Sequence, residues 1–139
     1  MGVINKKGVI PIMIKYIYSF EKLEAWQNAN KLCKSIYQIT SKFPHSEMNG
    51  LTNQMRRAAI SIASNIAEGC GRKLGKEQAR FYQYAISSSY ELLNQLIIAN
   101  EIEFIDSYSY LETRKYIQII TFQVNSLSKY TLSASAKTI

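Results

Sequence analysis

Apolar residues recur every three or four positions along four successive stretches of the chain, and no stretch alternates convincingly with the period of two that marks a strand. The first predicted helix runs from about Phe20 to Lys42. Leu23, Trp26, Ala29, Cys33, Ile36, Thr40 and Phe43 share one face, Leu32 and Ile39 widen it, and Pro44 ends it. The second covers about Glu47 to Glu68, with Leu51, Met55, Ala58, Ala59, Ile62 and Ile66 on its apolar face. Gly50 weakens its first turn, and Gly69 with Gly71 is expected to supply the left-handed residues that end it. After a short loop, the third runs from Lys76 to about Ile102, with Tyr82, Ala85, Ile86, Ser89, Leu93, Leu96 and Ile97 on a common face. The fourth follows Asp106, read as its N-cap, and reaches about Ser133 through Ile117, Ile120, Val124 and Leu127. Connections this short favour antiparallel neighbours. The expected fold is therefore all-α: an up-and-down antiparallel four-helix bundle over residues 18–133. An N-terminal extension (1–17), expected to be disordered, and a short C-terminal tail (134–139) flank it.

Two helices carry more apolar surface than one core face uses. Ile119, Phe122 and Ser126 form a flanking stripe on the fourth helix, and Leu32 and Ile39 lie beside the main stripe of the first. A bundle helix needs an apolar face little wider than about 100°, so the surplus is explained either by a broad core or by oligomerisation.

The second helix is unusual in its polar side as well. Alanines and serines keep it thin, which lets neighbouring helices approach closely. Arg57, Ser61, Ser64, Asn65 and Glu68 gather on one stripe, a turn apart. A partly buried acid needs a partner, so Ser61, Asn65 and Glu68, with Glu91 as a second acceptor, read as a structural hydrogen-bond network. Along a channel, the same stripe would instead contact nucleic acid. Arg56 is offset from it and is the better candidate for an external anion.

Charge is segregated along the chain. The formal net charge is +7, made of +4 over residues 1–55, +4 over 56–80, −5 over 81–112 and +4 over the remainder. Arg72, Lys73, Lys76 and Arg80 cluster in the loop between helices two and three and in the first turns of helix three, beside glycines that expose backbone N–H groups. Such a cluster suits phosphates, although a solvated loop that keeps the protein soluble would read the same way. Glu101, Glu103, Asp106 and Glu112 lie toward the opposite pole of helix three.

The segment Gly50–Arg72, GLTNQMRRAAISIASNIAEGCGR, resembles the signature of the bacterial four-helix-bundle family of 23S ribosomal RNA intervening-sequence proteins, distantly similar to the accessory protein of diversity-generating retroelements. The resemblance continues on both sides. Phe20, Leu23, Trp26, Gln27 and Ala29 match the family's opening, and Glu77, Phe81, Ala85, Ser88 and Glu91 match its third-helix motif. Ser87 stands where the family usually has Gly, and residues before Tyr18 have no counterpart. The resemblance covers roughly residues 18–130. It implies a homopentameric ring with a central channel, no enzyme activity, and nucleic-acid or ribonucleoprotein partners such as a reverse transcriptase.

Other chemistry finds little footing. His45 is the sole histidine and sits in a polar loop after Pro44, without a carboxylate cluster that would make a metal site. The string CGRKLGKE departs from a phosphate-binding loop at Cys70 and at Glu77, and a helix precedes it instead of a strand. Cys33 and Cys70 are expected as reduced cytosolic thiols, the first in a helix and the second in a loop; a redox role for Cys70 would need a resolving cysteine that is not nearby. Tyr82, Tyr84, Tyr90, Tyr108 and Tyr110 can stack on bases, but core or interface packing accounts for them more simply. The sequence reading is a non-enzymatic cytoplasmic protein without cofactor, metal or membrane span. It binds RNA or DNA through Arg56, Arg57, Arg72, Lys73, Lys76 and Arg80, or else serves as a scaffold that docks a protein partner without touching nucleic acid.

Overall fold

The computed structural model describes residues 16–137. The extension expected over residues 1–17 therefore lies outside the described residues except for Tyr16 and Ile17. Four helices carry the fold, and no strand occurs among the described residues: α1 Glu24–Thr40, α2 Leu51–Gly71, α3 Gly75–Glu101 and α4 Ser107–Lys137.

Each helix buries the stripe that its periodicity marks. On α1 the buried positions are Ala25, Ala29, Leu32, Ile36 and Thr40. Leu32, placed beside the main stripe from sequence, is fully part of the core, while Trp26 and Cys33 only pack against it. On α2 Met55, Ala58, Ala59, Ile62 and Ile66 are buried, and on α3 Ala85, Leu92, Leu96 and Ala99 are inaccessible. Ile117, Ile120 and Val124 complete the core from α4. Cross-helix pairs give the direction of each neighbour. Ser61 meets Ser88 and Gly69 meets Tyr82 between α2 and α3; Gln83 meets Ser128 and Gly75 meets Ser135 between α3 and α4. As one number rises the other falls, so both pairs run antiparallel. Asn28 bonded to Gln123 joins α1 to α4 and closes the bundle.

The helix ends differ from the sequence expectation in ways that backbone bonding explains. A separate 3-10 turn, Ser19–Lys22, precedes α1, and Leu23 is extended between them, so α1 starts at Glu24. A second such turn, His45–Glu47, ends where α2 was expected to begin, and the helix proper starts at Leu51, after Gly50 leaves helical geometry. At the far end α2 runs through Gly69 and Gly71, neither of which is left-handed. Gly69 serves packing instead: a Cβ there would lie 2.8 Å from the ring of buried Tyr82. The left-handed residue is Glu103, φ 64°, in the tight link between α3 and α4. Asp106 does cap α4, accepting from the Ser109 backbone N–H at 2.8 Å and from its hydroxyl at 2.9 Å. These bonds hold its carboxyl below the usual value. The helix then continues past Ser133 to Lys137.

Helix α4 has two apolar faces. Tyr108, Leu111, Ile119, Phe122 and Tyr130 follow helical spacing on the side opposite Ile117, Ile120 and Val124, and all five are exposed, Phe122 and Tyr130 at 74 % each. The outer stripe spans about 33 Å at 1.5 Å per residue. Grooves of about 600 and 430 Å³ flank Phe122 on its α3 and α1 sides. No helix among the described residues is long and apolar enough to cross a membrane.

Candidate nucleic-acid interface

The link from α2 to α3 is three residues long, Arg72, Lys73 and Leu74, and all three are exposed. It is short because α2 reaches Gly71 and α3 begins at Gly75, so four cations are confined to one end of the bundle. Arg72 lies against the ring of Phe81, its guanidinium carbon 4.5 Å from the centroid, and Arg80 approaches the same ring at 5.6 Å. The ring's negative faces offset part of the repulsion between the two guanidinium groups. Arg72 also pairs with Glu68 at 3.4 Å, the one ion pair among the described residues. Both partners are about half exposed, so solvent screens that pair and it contributes little. Lys73, Lys76 and Arg80 have no acidic partner within 4.0 Å among the described residues, and all three are exposed.

Two further features make this end receptive to anions. Leu74 sits at the N-cap of α3 and offers no side-chain cap, so the first N–H groups of α3 are left for water or a ligand. Tyr84 stands edge-on to Phe81 at 5.6 Å and is itself exposed, placing aromatic surface among the basic side chains. Cations for phosphates beside rings for bases is the combination that single strands use.

The other expected site residues are not part of this cluster. Arg56 and Arg57 lie about 22 Å along α2 from Arg72, at 1.5 Å per residue. Arg56, expected to face an external anion, is docked on α1: its Nε donates to Thr40 Oγ1 at 2.9 Å and its guanidinium carbon sits 4.5 Å over the Tyr37 ring. Arg57 is exposed in a groove between α2 and α3 that Glu91 also lines.

The expected polar network is half present. Ser61 and Ser88 share a 2.7 Å hydrogen bond across α2 and α3, and Asn65 Nδ2 donates to the Ser61 carbonyl at 2.9 Å and to its hydroxyl at 3.1 Å. Glu68 and Glu91 stand outside it, the first turned to Arg72 and the second to the Arg57 groove. Phe81 is the residue that motif reasoning noted without a role; its spacing after Arg72 and directly beside Arg80 is the signal that was available.

Cys70 lies in the last turn of α2, not in a loop, and burial pushes its thiol up from the ordinary value. Burial, with Cys70 nearby, also pushes Tyr82 up to about 12. Neither shift activates a nucleophile at neutral pH. His45 is exposed, and no group of three His, Cys, Asp or Glu side chains among the described residues can hold a metal.

The family model for 23S rRNA-intervening sequence proteins matches residues 21–126. The chain belongs to that family. No curated protein matches this family member. Among solved structures, a protein of unknown function from the S23 ribosomal protein family of Bacteroides thetaiotaomicron is 19 % identical, with a TM-score of 0.69 over 76 % of this chain and 98 % of that one. At that identity the likeness shows the shared helical fold.

Proposed function

We propose that this protein is a non-enzymatic, oligomeric accessory protein of the cytoplasm that binds RNA or DNA through the basic turn between α2 and α3. The observation that carries the reading is the confinement of Arg72, Lys73, Lys76 and Arg80 to one end of the bundle, with the Phe81 ring shared by Arg72 and Arg80, Tyr84 edge-on to that ring, and an uncapped helix start behind them. The family's association with ribosomal RNA insertions is consistent with such a partner. A homopentameric ring fits the outer stripe of α4, because a closed ring with a heterologous interface covers a second apolar face on every subunit.

The test is binding to structured RNA and to duplex DNA across a salt series, beside a variant with all four cations changed to Ala. Three cations without acidic partners and a fourth half-neutralised by Glu68 correspond to roughly three phosphates per turn, a log–log slope of about −2 to −3. The slope should flatten by that amount in the variant; an unchanged slope rejects the reading.

A second reading has its own observation. The exposed α4 stripe around Phe122 supports a scaffold that docks a protein, such as a reverse transcriptase or another ribonucleoprotein component, while the charge serves solubility. Capture of nucleic acid that survives high salt and requires the protein partner would favour it.

A further inference from the structure

The groove between α2 and α3 at the Arg57 end brings exposed charged and amide groups beside one buried acceptor that lacks a partner. It is an open groove of about 530 Å³ lined by polar Asn53, Arg57, Glu91, Asn94 and Gln95, with apolar Leu51 and Ile98 beside them. That volume is in the range of small-ligand clefts. Arg57 and Glu91 share the groove yet form no ion pair, since the only N–O approach within 4.0 Å among the described residues is Arg72 to Glu68. Gln95 is 6 % exposed, and its Oε1 is the one buried side-chain acceptor among the described residues that lacks a partner. A buried polar atom without a partner is rare in a folded protein. Oε1 is sealed from solvent and faces the interior, so the amide must rotate for it to meet a ligand in the groove, a rotation that breaks no hydrogen bond of Oε1.

A cation and a carboxylate held apart on one groove match a ligand that offers an acceptor edge beside a donor edge. Guanine is the RNA base that does so with two acceptor atoms beside two donor groups; cytosine has a single donor group. Guanine O6 and N7 accept side by side on one edge, and N1–H with the N2 amino group donates on the next. Arg is the usual bidentate partner of O6 and N7. Unpaired bases splayed from a single strand present both edges at once. We propose that this groove holds one unpaired guanine of a bound RNA, with Arg57 on O6 and N7, Glu91 on N1–H and the N2 amino group, and the Gln95 amide turned to a remaining polar atom of the base. The inference rests on the nucleic-acid reading above and adds base recognition to it.

The experiment uses the full chain and fluorescein-labelled nine-nucleotide uridine strands whose central base is uracil, guanine, adenine or hypoxanthine, read by anisotropy at low salt. The guanine strand should bind about tenfold more tightly than the uracil strand, a difference within the range of one good bidentate contact. Hypoxanthine lacks the N2 amino group and should fall between them. Glu91→Gln should narrow the gap between the guanine and uracil strands to the part that Arg57 supplies; an unchanged gap overturns the assignment of Glu91. Glu91 is exposed and has no ion-pair partner among the described residues, so this variant is expected to fold, and a circular-dichroism melt checks that. Equal binding of all four strands overturns the guanine site alone and leaves the basic-turn reading standing. Absence of binding by every strand overturns the guanine site, and the salt series on structured RNA and duplex DNA then decides the basic-turn reading separately. A changed molar mass for Glu91→Gln in light scattering identifies the groove as a contact between copies and likewise overturns the proposal.

Discussion

Replacing Gly69 by Ala separates two physical effects of opposite sign. Within a helix, Ala is favoured over Gly by about 0.5–1 kcal/mol, so propensity alone predicts stabilisation. At Gly69 the new methyl would sit 2.8 Å from Tyr82 Cε1, 3.0 Å from its Cδ1 and 3.1 Å from Phe81 Cβ. Tyr82 is 3 % exposed, so its ring has no free space to swing into, and the α2–α3 contact must open. Overpacking of a core by one carbon typically costs about 1–3 kcal/mol. Offsetting that by the propensity gain leaves a net loss of about 1 kcal/mol, toward 2 if the helices cannot adjust. Gly71 is the internal control: it is helical, and a Cβ there meets nothing within 4 Å. Gly71→Ala should therefore stabilise by a few tenths of a kcal/mol, less than a mid-helix site because the end frays. Urea unfolding followed by circular dichroism measures both. Opposite shifts of the two midpoints are expected; a Gly69→Ala midpoint equal to or above wild type would refute the packing argument. Because Phe81 is displaced with Tyr82, the same variant should also weaken nucleic-acid binding at the basic turn.

Phe122→Asp places a charge on the outer stripe of α4 without touching the core, so it should lower the molar mass measured by light scattering while leaving the helical content intact; a mass equal to wild type argues against that face as the interface. Cys70, with its thiol raised by burial, should react with iodoacetamide at pH 7 more slowly than free cysteine, and faster labelling would contradict its placement in the last turn of α2. Asp106 has its folded pKa lowered, so its capping contribution is present above the unfolded value near 3.8 and is lost as the pH falls through the folded value. Asp106→Ala should thus reduce the urea midpoint at pH 7, and the gap from wild type should narrow at more acidic pH than 3.8; a gap independent of pH would count against the cap.

The four helices were legible because each buries a stripe at spacing 3 and 4, and that signal survives any uncertainty about ends. The ends were less legible for a local reason. The turns at Ser19–Lys22 and His45–Glu47 have the composition of helix starts but bond as 3-10 turns, and periodicity over so few residues cannot separate the two. Gly69 and Gly71 look like stop signals in sequence. What keeps Gly69 small is a ring thirteen residues later, a contact across two helices that no local pattern encodes. The cluster of Arg72, Lys73, Lys76 and Arg80 was legible because it is contiguous, whereas the role of Phe81 as a shared platform needed the geometry.

The adjacent arginines show most sharply where sequence stops. Neighbours on a helix point about 100° apart, so Arg56 and Arg57 must face different surroundings, and their identity alone does not say which faces which. In the structure Arg56 ties α1 to α2 through Thr40 and Tyr37, while Arg57 has no ion-pair partner among the described residues and stands in the groove with Glu91. A charge-assisted hydrogen bond contributes about 1.5–3 kcal/mol and an exposed cation–π contact about 0.5–1 kcal/mol. Arg56 keeps part of its solvation, so Arg56→Ala should cost about 1–2 kcal/mol of stability. Its effect on RNA affinity should be confined to that loss of fold. Arg57→Ala should leave the urea midpoint within about 0.5 kcal/mol of wild type, as exposed substitutions do, and should reduce affinity for the guanine-containing strand. A double substitution would merge the two effects and attribute to binding what belongs to folding. If instead Arg56→Ala unfolds at the wild-type midpoint, or Arg57→Ala proves the more destabilising of the two, the division of labour drawn from the geometry is wrong.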